Sequence, residues 1–248
     1  MRNKGRRARV RRCAGSVMVL VAAMVAMLLG PIGRVPAAAQ DDLADQTRVV
    51  VLHADWSLDQ IDVYINHEEV LQAFEYGEVS DWINFEPGGV RVTITTDRSG
   101  LNYNYVAFDA VLPAPAGNDY SLIVTTPIIL GGVIDTSPVS DGGARVRIVH
   151  GAVDLRPVNV TANQKTFEFA QDLGYSSASD YTVVPAGTYD FDVTVAGKAE
   201  SVLTAPGMVL EGNTIYELVI MGQPNDENHP LELRPLADAA RDQSTAAP

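Results

Sequence analysis

The sequence predicts an all-β protein: two tandem immunoglobulin-like β-sandwich domains after an N-terminal signal peptide. Three observations predict it. The first is a repeat, in which Arg145-Val-Arg-Ile-Val-His150 restates Arg48-Val-Val-Val-Leu-His53, and the same offset of 97 residues carries Ile61 to Val158, Val63 to Val160, Asn66 to Asn163 and Gly77 to Gly174. A period of this size fits a small self-sufficient domain, since solenoid units run to only about 20–50 residues. The second is the alternation of Val90, Val92 and Ile94 with Arg91, Thr93 and Thr95. That period of two marks a strand with one buried face. The third is the sharp change of composition after the first forty residues.

Residues 1–39 have the three parts of a secretory leader. Arg2, Lys4, Arg6, Arg7, Arg9, Arg11 and Arg12 precede an uncharged apolar run from Ala14 to Leu29, and Ala37-Ala38-Ala39 supplies the small-residue site, which places cleavage before Gln40. A membrane enters the reading only if this leader stays uncut as an anchor. The leader holds eight of the 18 Lys and Arg residues and none of the 31 Asp and Glu, so the remainder has 10 basic against 31 acidic side chains, a net charge of −21. A field of that sign repels phosphate backbones and disfavours nucleic acid as a partner. The one cysteine, Cys13, also lies in the leader. The exported chain therefore has no disulfide, thiolate nucleophile or zinc–thiolate site, and its stability must come from packed cores.

The first repeat is expected over residues 47–130, with strands at Thr47 to His53, Gln60 to Ile65, Glu69 to Phe74, Ser80 to Phe85, Val90 to Thr95, Ala107 to Leu112 and Asp119 to Thr125. Short strands with turns every 8–12 residues are the signature of a sandwich. Pro87-Gly88-Gly89 and Pro185-Ala186-Gly187 stand at the same place in both copies, before the alternating strand, as tight turns. Residues 131–143, with their glycines, serines and a proline, read as a linker. The second repeat spans 144–236, with later strands at Glu200 to Thr204, Thr214 to Met221 and Leu231 to Pro235, and residues 237–248 read as a disordered tail. Between their alternating strands and the next, the copies differ: the first has the long polar stretch Asp97 to Tyr105, the second only Ala196-Gly197-Lys198.

His53-Ala54-Asp55, Ile61-Asp-Val-Tyr-Ile-Asn66, Tyr76-Gly77, Ser80-Asp81-Trp82 and Pro87-Gly88-Gly89 together resemble the bacterial extracellular domain-of-unknown-function family numbered 4397. The second copy resembles it through His150, Val158-Asn-Val160, Gly174-Tyr175, Ser179-Asp180-Tyr181 and Pro185-Ala-Gly-Thr-Tyr189. The resemblance implies a secreted or surface-attached β-sandwich, often in tandem, with no established activity.

No nucleophile elbow, zinc-binding helix motif, phosphate loop or dinucleotide fingerprint occurs, so the chain reads as a non-enzyme without a cofactor. A carboxylate pair for glycoside hydrolysis is the enzymatic alternative, and it requires two carboxyls at a set separation in a cleft. Asp55, Asp59 and Asp62 cluster near one strand end as a calcium candidate, against which stands the reading of a solvated loop. Trp56, Tyr103 and Tyr105 have no counterpart in the second copy and are candidate ligand-stacking residues, whereas Trp82 recurs as Tyr181 and reads as core. His53 and His150 recur at the same strand end. They are expected to be structural, with ring nitrogens bonded to the backbone of the next loop. The resulting reading is a non-catalytic secreted or cell-surface module contacting an extracellular polymer or surface protein through loops. A hydrolase, an accessory subunit of one, or a purely structural spacer are the alternatives.

Overall fold

The computed structural model describes residues 47–97, 104–125 and 129–239. The expected leader (residues 1–39), Tyr103 and residues 240–248 of the expected tail lie outside the described residues. In the first repeat the chain forms β1 (Thr47–His53), β2 (Gln60–Ile65), β3 (Glu68–Glu75), β4 (Ile83–Phe85), β5 (Gly88–Asp97), β6 (Asn104–Ala114), β7 (Asp119–Val124) and β8 (Ile129–Ile134). These make two sheets, β4-β1-β7-β8 and β3-β2-β5-β6. The second repeat contributes β9 (Ala144–His150), β10 (Val158–Ala162), β11 (Phe167–Leu173), β12 (Ser177–Ala178), β13 (Thr182–Val184), β14 (Gly187–Val195), β15 (Ser201–Leu210), β16 (Thr214–Met221) and β17 (Glu232–Ala239). Its sheets are β11-β10-β14-β15 and β12-β9-β16-β17, with β13 also paired to β9. Each repeat is thus a two-layer β-sandwich with the same strand order. In both, the opening strand runs parallel to the penultimate one, β1 to β7 and β9 to β16, while the other strand pairs are antiparallel.

β8 carries the first sandwich to Ile134, four residues into the stretch expected as linker, because it pairs with β7 in unbroken register from Val124↔Ile129 to Asp119↔Ile134. β17 similarly runs to Ala239, three residues into the expected tail, along β16. The rest of the connection is tied down. The Arg145 guanidinium donates to the carbonyls of Asp135 and Ser137 at 2.9 Å each and pairs with the Asp135 carboxylate at 3.2 Å, while Val139 is buried.

Alternation decides which face each strand buries. Val49 and Val51 of β1 enter the core of their own sandwich with Ile61, Val63 and Ile94. Val50 and Leu52, on the opposite face, meet the second repeat: Leu52 and Ile123 cluster with Val149, Val219 and Met221, and Val50 and Ile134 with Val139 and Ile215. β16 mirrors this, with Leu218 and Ile220 in its own core and Val219 and Met221 in the shared cluster. The inner sheets therefore pack on one another. Strands buried on both faces read as continuous apolar runs, which is the form of Val49-Val-Val-Leu52 and Leu218-Val-Ile-Met221.

Candidate functional site

The serines and asparagines that recur in both copies are engaged with backbone. Ser80 Oγ accepts the Val51 N–H at 2.9 Å and donates to the Asp81 carbonyl at 2.8 Å; Ser179 does the same for Ile148 and Asp180 at 3.0 and 2.9 Å. Asn66 and Asn163 both turn the chain at φ 50°, and their side-chain oxygens accept the N–H groups of Arg91 and Asp190 at 2.9 Å. His53 and His150 are fully buried. His53 Nδ1 accepts the Asp55 N–H at 3.3 Å, while its Nε2 has no hydrogen-bond partner among the described residues. Burial pushes the His53 ring down to about 4, opposed by the Asp55 carboxylate and by the backbone at Leu58. His150 is also lowered by burial, and the backbone at Arg156 and Leu155 opposes that shift; neither of its ring nitrogens has a hydrogen-bond partner among the described residues, unlike the bond to the next loop expected of it.

The three calcium candidates do different work. Asp55 is buried, and its Oδ1 accepts both the N–H and the hydroxyl of Ser57, at 2.9 and 2.6 Å. Asp62 Oδ1 accepts the N–H of Ala73 at 2.8 Å, where β3 bulges with φ 49°. Asn159 serves Asp172 identically in the second repeat, so the position needs an oxygen acceptor and no charge. Asp59 is exposed. Among the described residues no three His, Cys, Asp or Glu side chains converge as a metal site.

Trp56 is half-buried. Its ring lies 6.2 Å from that of His229, which stacks edge-on to Tyr76 at 5.1 Å, and Tyr76 in turn is edge-on to His53 at 6.2 Å. This aromatic seam joins the repeats, and burial raises the Tyr76 hydroxyl to about 12, helped by the Glu232 carboxylate. Sequence reasoning missed Tyr76 and His229 here. The recurrence of Tyr76 as Tyr175, itself edge-on to His150 at 6.1 Å, was a signal for the first, at an offset of 99 that sets Gly77 against Ser176 and not the expected Gly174: the N–H groups of Gly77 and Ser176 both donate to the carbonyl of their histidine. His229 has no counterpart. Tyr103 lies outside the described residues. Tyr105 belongs to β6, opposite Thr96, and β5 and β6 stay paired out to Asp97↔Asn104, whereas the second repeat ends its pairing at Thr194↔Ser201.

Two tandem β-sandwiches whose repeated polar residues stabilise turns and bulges define a duplicated β-sandwich domain. Residues 47–154 and 144–247 each match the family model described as Domain of unknown function (DUF4397), and the chain belongs to that family, twice over. No curated protein matches the chain.

Proposed function

We propose that this protein is a non-catalytic module, exported by its leader, that binds an extracellular polymer or surface protein through the first repeat. The observation behind this reading is the lengthened β5–β6 hairpin, which departs from the shared framework while the serines and asparagines common to both copies hold backbone. A paired hairpin presents contact residues at less entropic cost than a free loop of the same length. The strongly acidic exported chain favours a basic or cation-bearing partner. The test is a pull-down from cell-envelope and extracellular material with the protein and with a variant whose residues 98–103 are replaced by Gly-Gly. Capture of one polymer or protein by the parent and its loss in the shortened variant is expected. Equal capture by both, or turnover in a hydrolase screen that a single carboxylate substitution abolishes, overturns the proposal.

A further inference from the structure

The two sandwiches fill the same interior space differently. Val63 pairs with Ile94 and Ile65 with Val92, as Val160 pairs with Val193 and Ala162 with Phe191. Phe191 therefore stands where the first repeat has Val92, and two residues back along each strand Tyr189 stands for Val90. In the second repeat these rings close the core: Tyr189 and Phe191 pack with Phe167 and Phe169 at centroid distances of 5.1–6.5 Å. The first repeat has no such rings at these strand positions. It has instead a cavity of about 360 Å³ between its sheets, lined by Ile65, Val90 and Val92 on one side and by Leu122 and Gly131 on the other. Phe85, Phe108 and Tyr120 border it and are only half-buried.

We infer that this cavity is a binding site for a small uncharged aromatic molecule. No side chain lining it is charged, so an ion entering would lose its hydration without a partner. The volume lies at the lower end of small-molecule pockets, roughly 300–1,000 Å³. An engineered apolar cavity of about 150 Å³ already takes benzene, so one or two fused rings fit here. Sheets packed about 10 Å apart leave a slab that suits a flat ring better than a branched aliphatic. Phe85, Phe108 and Tyr120 offer ring faces and edges of the kind that hold Tyr189 and Phe191 in the other repeat.

The site lies inside the sandwich and goes beyond the hairpin contact proposed above. Its test is calorimetric titration of the protein with p-cresol and indole, with cyclohexanol as the non-aromatic control. Saturable one-to-one binding of an aromatic probe is expected, with ring-current shifts of the Val90 and Val92 methyl resonances in the unmodified protein. Filling the space from one sheet with Val90→Tyr and Val92→Phe should weaken binding at least tenfold. Filling it from the other with Gly131→Leu should do the same, since a Cβ there meets Leu122 and Ser121 only at 3.9 Å, an ordinary van der Waals contact. No binding of either probe, no methyl shift at Val90 and Val92, or unchanged affinity in a filled variant that retains its fold overturns the site. Cyclohexanol binding as tight as p-cresol overturns its aromatic character.

Discussion

At the scale of single residues, His53 gives this protein an acid limit. A histidine whose pKa is lower in the folded than in the unfolded chain withholds a proton that the unfolded chain takes up, so stability is complete above the unfolded value and falls as pH drops towards the folded one. For His53 that window runs from 6.5 down to about 4. Across it the loss is roughly 3 kcal/mol at about 1.4 kcal/mol per pH unit. The thermal midpoint is therefore expected to fall between pH 6.5 and 4, and to fall less in His53→Gln; identical slopes would rule out His53 as the source. Ser80 carries a second prediction. Ser80→Ala leaves the Val51 N–H, in a strand buried on both faces, without the oxygen at 2.9 Å, and should lower unfolding free energy by about 1–3 kcal/mol in denaturant titration. Ser179→Ala should do the same in the second repeat, through the Ile148 N–H.

At the scale of elements, the faces of β9 and β16 that look toward the first repeat carry a buried ion pair beside their apolar residues. Arg147 pairs with Glu217, which is 1% exposed, and the guanidinium lies 4.8 Å over the ring of Tyr181. The first repeat uses Arg48, Asp119 and Trp82 in the same way, with Arg48 donating to both carboxylate oxygens at 3.0 and 2.6 Å and stacking 4.4 Å over the indole. Removing one partner leaves a buried charge uncompensated, so Glu217→Ala should cost about 3–5 kcal/mol, whereas the apolar double replacement Arg147→Met with Glu217→Leu should recover most of it. A double variant as unstable as the single one would show that the pair itself, and not the orphaned charge, sets the penalty. Elements also show how the repeat could have been read further. The last strand of the second copy is legible at Leu231 to Pro235, but most of its equivalent β8 falls in residues 131–143, where Gly131-Gly132 and the following Ser and Pro match the composition of a loop. Pairing with β7 overrides that local preference.

At the scale of the whole molecule, the clusters joining Leu52 and Ile123 to Val149, Val219 and Met221 make the two sandwiches depend on each other. Either repeat alone would expose this apolar face to water. One cooperative thermal transition is expected for the protein, and Leu52→Asp, which buries a carboxylate in the shared cluster, should lower or split it. Two separate transitions in the unmodified protein would show that the shared face contributes little.

The sequence by itself determined the class and the duplication, because alternation of period two and a 97-residue offset are properties of the chain that survive without coordinates. It also located most strands, with Thr47–His53, Gln60–Ile65 and Thr214–Met221 read to their ends. The candidate site was less legible. His53 and His150 stood out by recurrence, but the seam of Trp56, Tyr76 and His229 could not be seen, since its members come from different repeats and meet only when the inner sheets pack. Tertiary structure alone decided three things: that Val50 and Leu52 face a second sandwich and not solvent, that Asp62 supports the bulge at Ala73, and that Val90 and Val92 leave a cavity where Tyr189 and Phe191 fill one. The physical reason is common to all three. A strand's pattern states which side chains share a face, while what that face meets depends on layers contributed by residues far away in the chain.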